Sequence, residues 1–272
     1  MTRNKFEEQL SELKDLLTRM GELNCEAIGD AVTALETQNT ALAKQTKGVE
    51  ALVDEKEQQI ERLCLKIILK QQPVASDLLF VTSAMKMITD MERIADQAVD
   101  ISELVIKMSK LPYAESVREI SDMADKVQEM VRNAAKCFVE RDGELAKAVC
   151  RSDDDVDDLF DVVKKKLTQI VHKDIDEEDN GEQALDMLMV AKYLEKIGDH
   201  ASNIAEWVPC RTTGERKKLN GAPPQVPPGG EDPRGPHAGA FACGRRGRRA
   251  IIQIYYKFIT TFRLVLYNFG LQ

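Results

Sequence analysis

Residues 92–101 read ERIADQAVDI, and residues 195–204 read EKIGDHASNI. The two stretches lie 103 residues apart and are identical at five of ten positions. The same offset carries Leu42-Ala43-Lys44 onto Leu145-Ala146-Lys147 and Val53-Asp54 onto Val156-Asp157 without a gap. A constant offset over so long a span predicts that the chain contains two copies of one structural unit.

Apolar residues near the start of the chain recur at steps of three and four, which is the spacing of one face of an α-helix. The first run is Phe6, Leu10, Leu13, Leu17 and Met20, and it predicts a helix from Lys5 to about Leu35. Turn-forming residues interrupt the helical pattern at Gln38-Asn39, Gln72-Pro73, Leu111-Pro112, Arg141-Asp142-Gly143 and 178–181. We therefore predict an all-α fold of tandem duplicated three-helix bundles, with six long antiparallel helices, a first repeat at 1–111 and a second at 112–217.

The charge of the chain restricts its expected partners. Residues 1–208 contain 43 Asp and Glu against 27 Lys and Arg. A surface of this sign repels phosphate groups, so we expect no nucleic-acid partner, and cations or basic protein surfaces fit better. The six cysteines form no CxxC pair, and residues 1–10 lack the apolar region of an export signal. Both features predict reduced thiols and a cytoplasmic protein.

Each copy contains two pairs of acidic residues spaced four apart, so both members of a pair lie on one helix face. The pairs are Glu50/Asp54, Glu92/Asp96, Asp153/Asp157 and Glu195/Asp199, and Asp100 and Asn203 extend two of these columns. The apolar residues of the third helix occupy a different face, which places its carboxylates outside the core. If neighbouring helices bring two columns together, their repulsion favours a bound cation.

The chemistry of these ligands narrows the choice of metal. Carboxylates suit hard or borderline ions, whereas tight zinc sites usually recruit Cys or His. We predict metal ions at the ten positions named above, with Fe, Mn, Mg or Zn as the candidates.

Two other interpretations of the charges stay open at this point. The carboxylates could simply solvate the bundle, or the chain could be a di-iron enzyme or a metal-storage protein. Helical di-iron sites use Glu-x-x-His motifs, and no Glu here has a His three residues later. The sequence also lacks a glycine-rich phosphate loop and a nucleophile set, so we predict no catalytic residue. We expect His200 to be a solvated side chain, and we interpret Ala95 and Gly198 as positions of close helix packing.

Residues 194–206, LEKIGDHASNIAE, together with 92–101, resemble the twice-repeated signature of the PhoU family. The loop at 72–78, QPVASDL, and the segment at 213–217, TGERK, are similar to members of the same family. The four acidic pairs match its metal-binding motifs, and the likeness covers residues 1 to about 217. This sequence departs from the pattern at Gln97 and Ala95, which stand where the second copy has His200 and Gly198, and at 209–211.

The resemblance implies a negative regulator of the phosphate-starvation response and of phosphate uptake. It implies an adaptor between the ATPase subunit of the phosphate ABC transporter and the phosphate sensor histidine kinase, reaching the membrane only through these partners. It also implies a homodimer or a larger homo-oligomer. An accessory protein of another phosphate or cation transporter is the alternative within the same fold.

Residues 218–272 differ in composition from the rest of the chain. Pro, Gly and Arg dominate up to residue 249, and an apolar, aromatic stretch follows from Ala250. We predict disorder for 218–249, since few large apolar groups are available for burial. Lys257 and Arg263 interrupt the apolar stretch and disfavour a membrane-spanning helix. The segment is either a functional appendage or an extension of the reading frame, and we assign it no function.

Overall fold

The structure is a computed structural model that describes residues 2–110, 118–173 and 178–208. It contains the helices α1 (Thr2–Thr37), α2 (Thr40–Gln71), α3 (Ala75–Met108), α4 (Arg118–Glu140), α5 (Gly143–Lys173) and α6 (Glu178–Glu206). Within these ranges no residue belongs to a strand. The prediction of an all-α fold with six helices is confirmed.

The helix boundaries agree with the sequence at three of the five predicted breaks, which lie at Gln38, Gln72 and Arg141. The break at Leu111-Pro112 falls outside the described residues. The break predicted at 178–181 is wrong, because α6 begins at Glu178 and continues through this stretch. Acidic side chains are stabilised at the N-terminal end of a helix dipole, so an acidic run here starts a helix instead of interrupting one.

The turn between the first two helices is built in the same way in both copies. The Asn39 side chain accepts hydrogen bonds at 3.1 Å from the backbone N–H groups two and three residues further on. At the equivalent position 103 residues later, Asp142 accepts the same two bonds at 2.9 and 3.1 Å. The residues just before them, Gln38 and Arg141, have positive φ angles of 51° and 59°. The duplication therefore extends to the capping of α2 and α5.

Each copy folds as a three-helix bundle, α1–α2–α3 and α4–α5–α6, and the bundles join through α1 against α4 and α3 against α6. The apolar seams expected from the sequence are buried on both central helices. Their members are Met87, Met91, Ile94, Ala98, Ile101, Val105 and Met108 on α3, and Val190, Leu194, Ile197, Ala201, Ile204 and Val208 beside or on α6. One hydrophobic core continues through all six helices.

The two bundles are related by an approximate two-fold rotation. On the α1–α4 side, the Gln128 amide donates to the backbone oxygen of Cys25, its own counterpart in the other copy, at 3.5 Å. On the α3–α6 side, Lys107 near the end of α3 forms ion pairs with Glu182 at 2.8 Å and Asp186 at 2.9 Å near the start of α6. Ser121, near the start of α4, donates to Glu36, near the end of α1. Both helix pairs are therefore antiparallel, as a two-fold axis between equivalent helices requires.

The described residues of both bundles group as one compact unit. The predicted limits at 111/112 and 217/218 fall outside the described residues and stay predictions. None of the described helices has the length and hydropathy that crossing a bilayer requires.

A close backbone contact holds α1 against α4. A Cβ atom added at Gly21 would lie 2.7 Å from the Cβ of Ala135, nearer than two carbon atoms can approach. The Ala135 methyl group cannot rotate away, so a larger residue at position 21 would force the helices apart. Gly48 on α2, by contrast, has no atom within 4 Å of such a Cβ.

We expect Gly21→Ala to lower the free energy of unfolding by about 1–3 kcal/mol, because it overpacks the α1–α4 contact. The control Gly48→Ala should raise the free energy of unfolding by up to about 1 kcal/mol, since alanine is the better helix former. Urea denaturation followed by circular dichroism measures both changes. Equal effects of the two substitutions would contradict the packing of α1 on α4.

Candidate functional site

Carboxylates of α2 and α3 lie together along the boundary between these helices, outside the core. We call this set the α2–α3 acidic cluster, and its members are Glu50, Asp54, Glu57, Glu92 and Asp96. Asp96 is exposed and the other four are half-buried. The acidic pairs of adjacent helices in the first repeat thus face each other and do not point to separate regions of solvent.

The pKa values of this cluster are raised by burial and by mutual repulsion. Burial, followed by Asp54 and Asp96, raises the pKa of Glu50. Burial, followed by Asp96 and Glu57, raises the pKa of Glu92. Burial and then Asp54 raise the pKa of Asp96. Because these effects reach from one helix to the other, each negative charge in the cluster opposes the ionisation of the next.

The second repeat repeats this arrangement on α5 and α6. We call this set the α5–α6 acidic cluster, and its members are Asp153, Asp157, Glu195 and Asp199. Burial, followed by Asp199 and Asp157, raises the pKa of Asp153 to about 6. Burial, followed by Glu195 and Asp199, raises the pKa of Asp157. Eight of the ten sequence-predicted positions therefore fall into two clusters, one in each repeat.

The clusters differ in how far lysines already neutralise them. In the α5–α6 acidic cluster, Lys196 Nζ lies 2.6 Å from Asp199 Oδ2 and 3.5 Å from Glu195 Oε2. Lys192 Nζ lies 2.5 Å from the same Glu195 oxygen. Among the described residues no ion pair reaches the α2–α3 acidic cluster, where Lys47 and Arg93 act only at longer range. The first cluster therefore keeps more uncompensated negative charge than the second.

Glu57 is a member that the sequence analysis missed. It lies three residues after Asp54, on the same face of α2, so the signal was present in the spacing. Its counterpart in the second repeat is Phe160, whose ring centroid lies 5.2 Å from Lys192 Nζ. An acidic residue in one copy is thus replaced in the other by an aromatic ring that holds a lysine.

Gly198 lies where α5 and α6 approach each other, as the sequence analysis suggested. A Cβ atom at this position would lie 3.4 Å from Asp153 Oδ1 and 3.6 Å from Val156 Cγ1, which are ordinary van der Waals contacts. The equivalent Ala95 is fully buried in the first repeat. Small residues at these positions let the carboxylates of the neighbouring helix lie close to α3 and α6.

Closing either cluster around a cation would require side-chain rotation. Within the described ranges, no three His, Cys, Asp or Glu side chains stand at the mutual distances of a formed metal site. The donor set nevertheless fits a hard cation, because it supplies several carboxylate oxygens from two rigid helices. The assignment of these residues as metal ligands stays a prediction.

His200 does not behave as the solvated side chain that we expected. Its Nδ1 lies 2.9 Å from Asp90 Oδ1 on α3, and the two side chains are only 16% and 18% exposed. The Asn203 amide lies 3.4 Å from the same Asp90 oxygen. Both side chains therefore contact a residue of the other repeat. The predicted role of Asn203 as a metal ligand stays untested.

The two-fold relation places Tyr193 where the other copy has Asp90, and Gln97 where it has His200. Burial, followed by Asp100 and Glu103, raises the pKa of Tyr193. Asp100 therefore lies near the interface with α6 as well as near Asp96. The α3–α6 contact therefore has an Asp90–His200 pair on one side of the two-fold axis. On the other side, Tyr193 lies near the carboxylates of Asp100 and Glu103.

The sequence matches the family model described as "PhoU domain" twice, at residues 17–105 and 120–208. Both limits of the second match are displaced by 103 residues from those of the first, which is the offset found in the sequence.

Similar proteins carry the same family name. A Clostridium acetobutylicum protein named phosphate-specific transport system accessory protein PhoU homolog is 35% identical over 221 residues, covering 81% of this chain and all of that protein. A homolog from Thermotoga maritima is 33% identical over 78% of this chain and 91% of that protein.

Solved structures agree with this assignment. The crystal structure of PhoU from Pseudomonas aeruginosa aligns with a TM-score of 0.70 and 30% identity, covering 75% of this chain and 96% of that one. The phosphate transport system regulatory protein PhoU from Streptococcus pneumoniae shares the fold, with a TM-score of 0.67 and 22% identity over 75% of this chain and 94% of that one. Two domain matches, full-length relatives and a shared six-helix fold show that this chain belongs to the PhoU family.

Proposed function

We propose that this chain is a cytoplasmic negative regulator of the phosphate-starvation response and of phosphate uptake. The observation that carries this proposal is the likeness to phosphate-specific transport accessory proteins along the whole length of one such relative. The strongly acidic surface of residues 1–208 agrees with a protein that acts through proteins or cations and not on nucleic acid. The proposed partners are the ATPase subunit of the phosphate ABC transporter and the phosphate sensor histidine kinase, with the chain acting as a homodimer or larger homo-oligomer.

The two acidic clusters are the proposed metal sites. A bound cation would relieve the repulsion that raises the pKa values of Glu50, Glu92 and Asp96. Oxygen-only ligands favour Fe, Mn or Mg over Zn in this setting, since His200 is bonded to Asp90. Bound metal would stabilise each bundle by joining its second and third helices. The α2–α3 acidic cluster is the preferred site, because no lysine forms an ion pair with it in the described part of the chain.

A reporter assay tests the regulatory proposal. In a bacterial strain that lacks its own PhoU protein, we expect phosphate-starvation reporter expression to stay high in phosphate-rich medium. Expression of this chain should restore repression, because the chain would again couple transporter and kinase. The strain's own PhoU gene serves as the positive control. A reporter that stays high although the chain accumulates to the same level would count against the function.

Metal content tests the site assignment. We expect Glu92→Ala/Asp96→Ala to lower the metal bound per chain, as measured by inductively coupled plasma mass spectrometry after dialysis against Mn²⁺ or Fe²⁺. Glu195→Ala/Asp199→Ala should lower it less, because Lys192 and Lys196 already compensate part of the charge of that cluster.

The matched control is Glu26→Ala/Asp30→Ala. These carboxylates are also spaced four apart and also repel each other, but no acidic group of another helix contributes to the raised pKa of Asp30. The control should leave the metal content unchanged while circular dichroism shows full helicity in all variants. Unchanged metal in both cluster variants, or an equal loss in the control, would contradict the assignment.

The raised pKa of Asp153, about 6, also has a consequence for the metal-free protein. The folded state holds this proton more tightly than the unfolded state, so the stabilising contribution is present below pH 4 and is lost as the pH rises through about 6. We expect Asp153→Asn to raise the free energy of unfolding at pH 7.5 by about 1–2 kcal/mol, after allowance for solvent screening. At pH 4 it should have little effect.

Thermal unfolding in EDTA at the two pH values measures this difference. The exposed Asp158→Asn on the same helix controls for the loss of one negative charge. A variant no more stable than wild type at pH 7.5 would show that the carboxylates around Asp153 do not repel it in solution.

A further inference from the structure

Five large apolar side chains are exposed at the end of the first bundle where α2 passes into α3. We call this group the α2–α3 tip, and it consists of Leu65, Leu69, Val74, Leu78 and Leu79. Leu69 is 68% exposed and Val74 is 75% exposed. The largest apolar patch of a folded monomer, typically about 300–600 Å², is often a binding site.

The fold does not require these apolar residues. At every equivalent position of the second repeat the residue is polar or lacks a side chain: Thr168, His172, Glu177, Gly181 and Glu182. The second copy forms the helices α5 and α6 with four of these residues, Thr168, His172, Gly181 and Glu182. This set of apolar side chains is therefore not repeated at the equivalent positions of the second copy and is not a by-product of the helical hairpin.

The second bundle holds the base of the tip in place. The Phe80 and Phe138 rings stack with their centroids 5.2 Å apart, and the Arg141 guanidinium carbon lies 4.7 Å above the Phe80 ring. Arg141 also pairs with Asp77 at 3.6 Å. The first turns of α3 are thus anchored to the turn between α4 and α5, and a partner would meet a surface that is already ordered.

Basic side chains border the apolar residues. Lys66 and Lys70 each follow a leucine of the tip by one position, and Arg62 lies one turn before Lys66. All three are exposed. The nearest member of the α2–α3 acidic cluster on α2, Glu57, precedes Lys66 by nine residues, roughly 13 Å along the helix. At physiological salt this exceeds the screening length of about 8 Å, so the cluster does not cancel the positive border. Two acidic residues lie nearer: Asp77 is paired with Arg141, and the exposed Glu61 is one negative charge against three positive ones.

We propose that the α2–α3 tip is the docking surface for the transporter, and that it fits an apolar recess bordered by Asp and Glu on the ATPase subunit. This inference rests on the proposed function, which supplies the transporter as partner. We choose this surface because its charge would complement an acidic partner: the tip combines apolar side chains with a positive border on an otherwise acidic protein.

A second copy of the chain and a lipid surface fit the tip less well. A two-fold contact between two tips would bring two positive borders into one interface and offer neither of them an acidic counterpart. Lipid-binding surfaces use aromatic anchors or clusters of four to eight basic residues, and the tip has neither.

Binding of the full chain to the purified transporter, reconstituted in nanodiscs, tests this proposal. We expect Leu69→Ser/Val74→Ser to raise the Kd at least tenfold, and Lys66→Glu/Lys70→Glu to raise it with a reduced salt dependence. The control is Leu185→Ser/Met189→Ser, which removes two exposed apolar side chains from α6. They lie near the end of α3 that is remote from the tip, so the Kd should stay unchanged. Circular dichroism verifies that each variant is folded.

The outcomes separate the two proposals. If wild-type protein does not bind transporter nanodiscs, the adaptor function is contradicted and the docking surface falls with it. If the wild type binds but the Leu69→Ser/Val74→Ser variant binds equally well, only the docking surface is overturned. Equal binding to empty nanodiscs would identify lipid as the partner, and a loss of oligomer in the tip variant during sedimentation would identify a second copy. Either result would overturn the proposal.

Discussion

Burial of the apolar seams on α3 and α6 is the constraint on which the rest of the structure depends. Each of these helices packs inside its own bundle and also against its counterpart, so two faces of each are committed to apolar contact. The acidic pairs of both helices lie outside these faces, at the boundary with the neighbouring helix of the same bundle. The acidic columns therefore face each other while the seams stay buried.

Much of this arrangement could be predicted from the sequence. Helical periodicity, turn residues and the 103-residue offset were enough for the helix number, for three of the five breaks and for the positions of eight carboxylates. The Asp90–His200 contact could not be predicted, because spacing along one helix says nothing about which residue of another helix lies opposite. The start of α6 was placed wrongly, since an acidic run with a glycine can interrupt a helix or begin one. The pairs of Lys192 and Lys196 with acidic residues three positions later were visible in the sequence and were overlooked.

The two acidic clusters are equivalent in position and unequal in electrostatics. Lysine ammonium groups already occupy part of the α5–α6 acidic cluster, whereas Glu57 adds a further negative charge to the α2–α3 acidic cluster. The same inequality holds at the hairpin ends, where the exposed leucines of the first repeat have polar residues or glycine at the equivalent positions of the second. One backbone plan thus supports two surfaces with different chemistry, and the differences lie in side chains that the shared core does not constrain.

The approximate two-fold axis through the α1–α4 and α3–α6 contacts has the symmetry of a homodimer contained within one polypeptide. Cys25 and Gln128, equivalent positions in the two copies, touch each other across that axis. Such a pairing is what a single-repeat ancestor would form by self-association before its gene was duplicated and fused. In that ancestor any change on one side of the axis would have appeared on the other as well. Fusion removed this coupling, and a histidine facing an aspartate at one end of α3–α6 could then evolve separately from a glutamine and a tyrosine at the other.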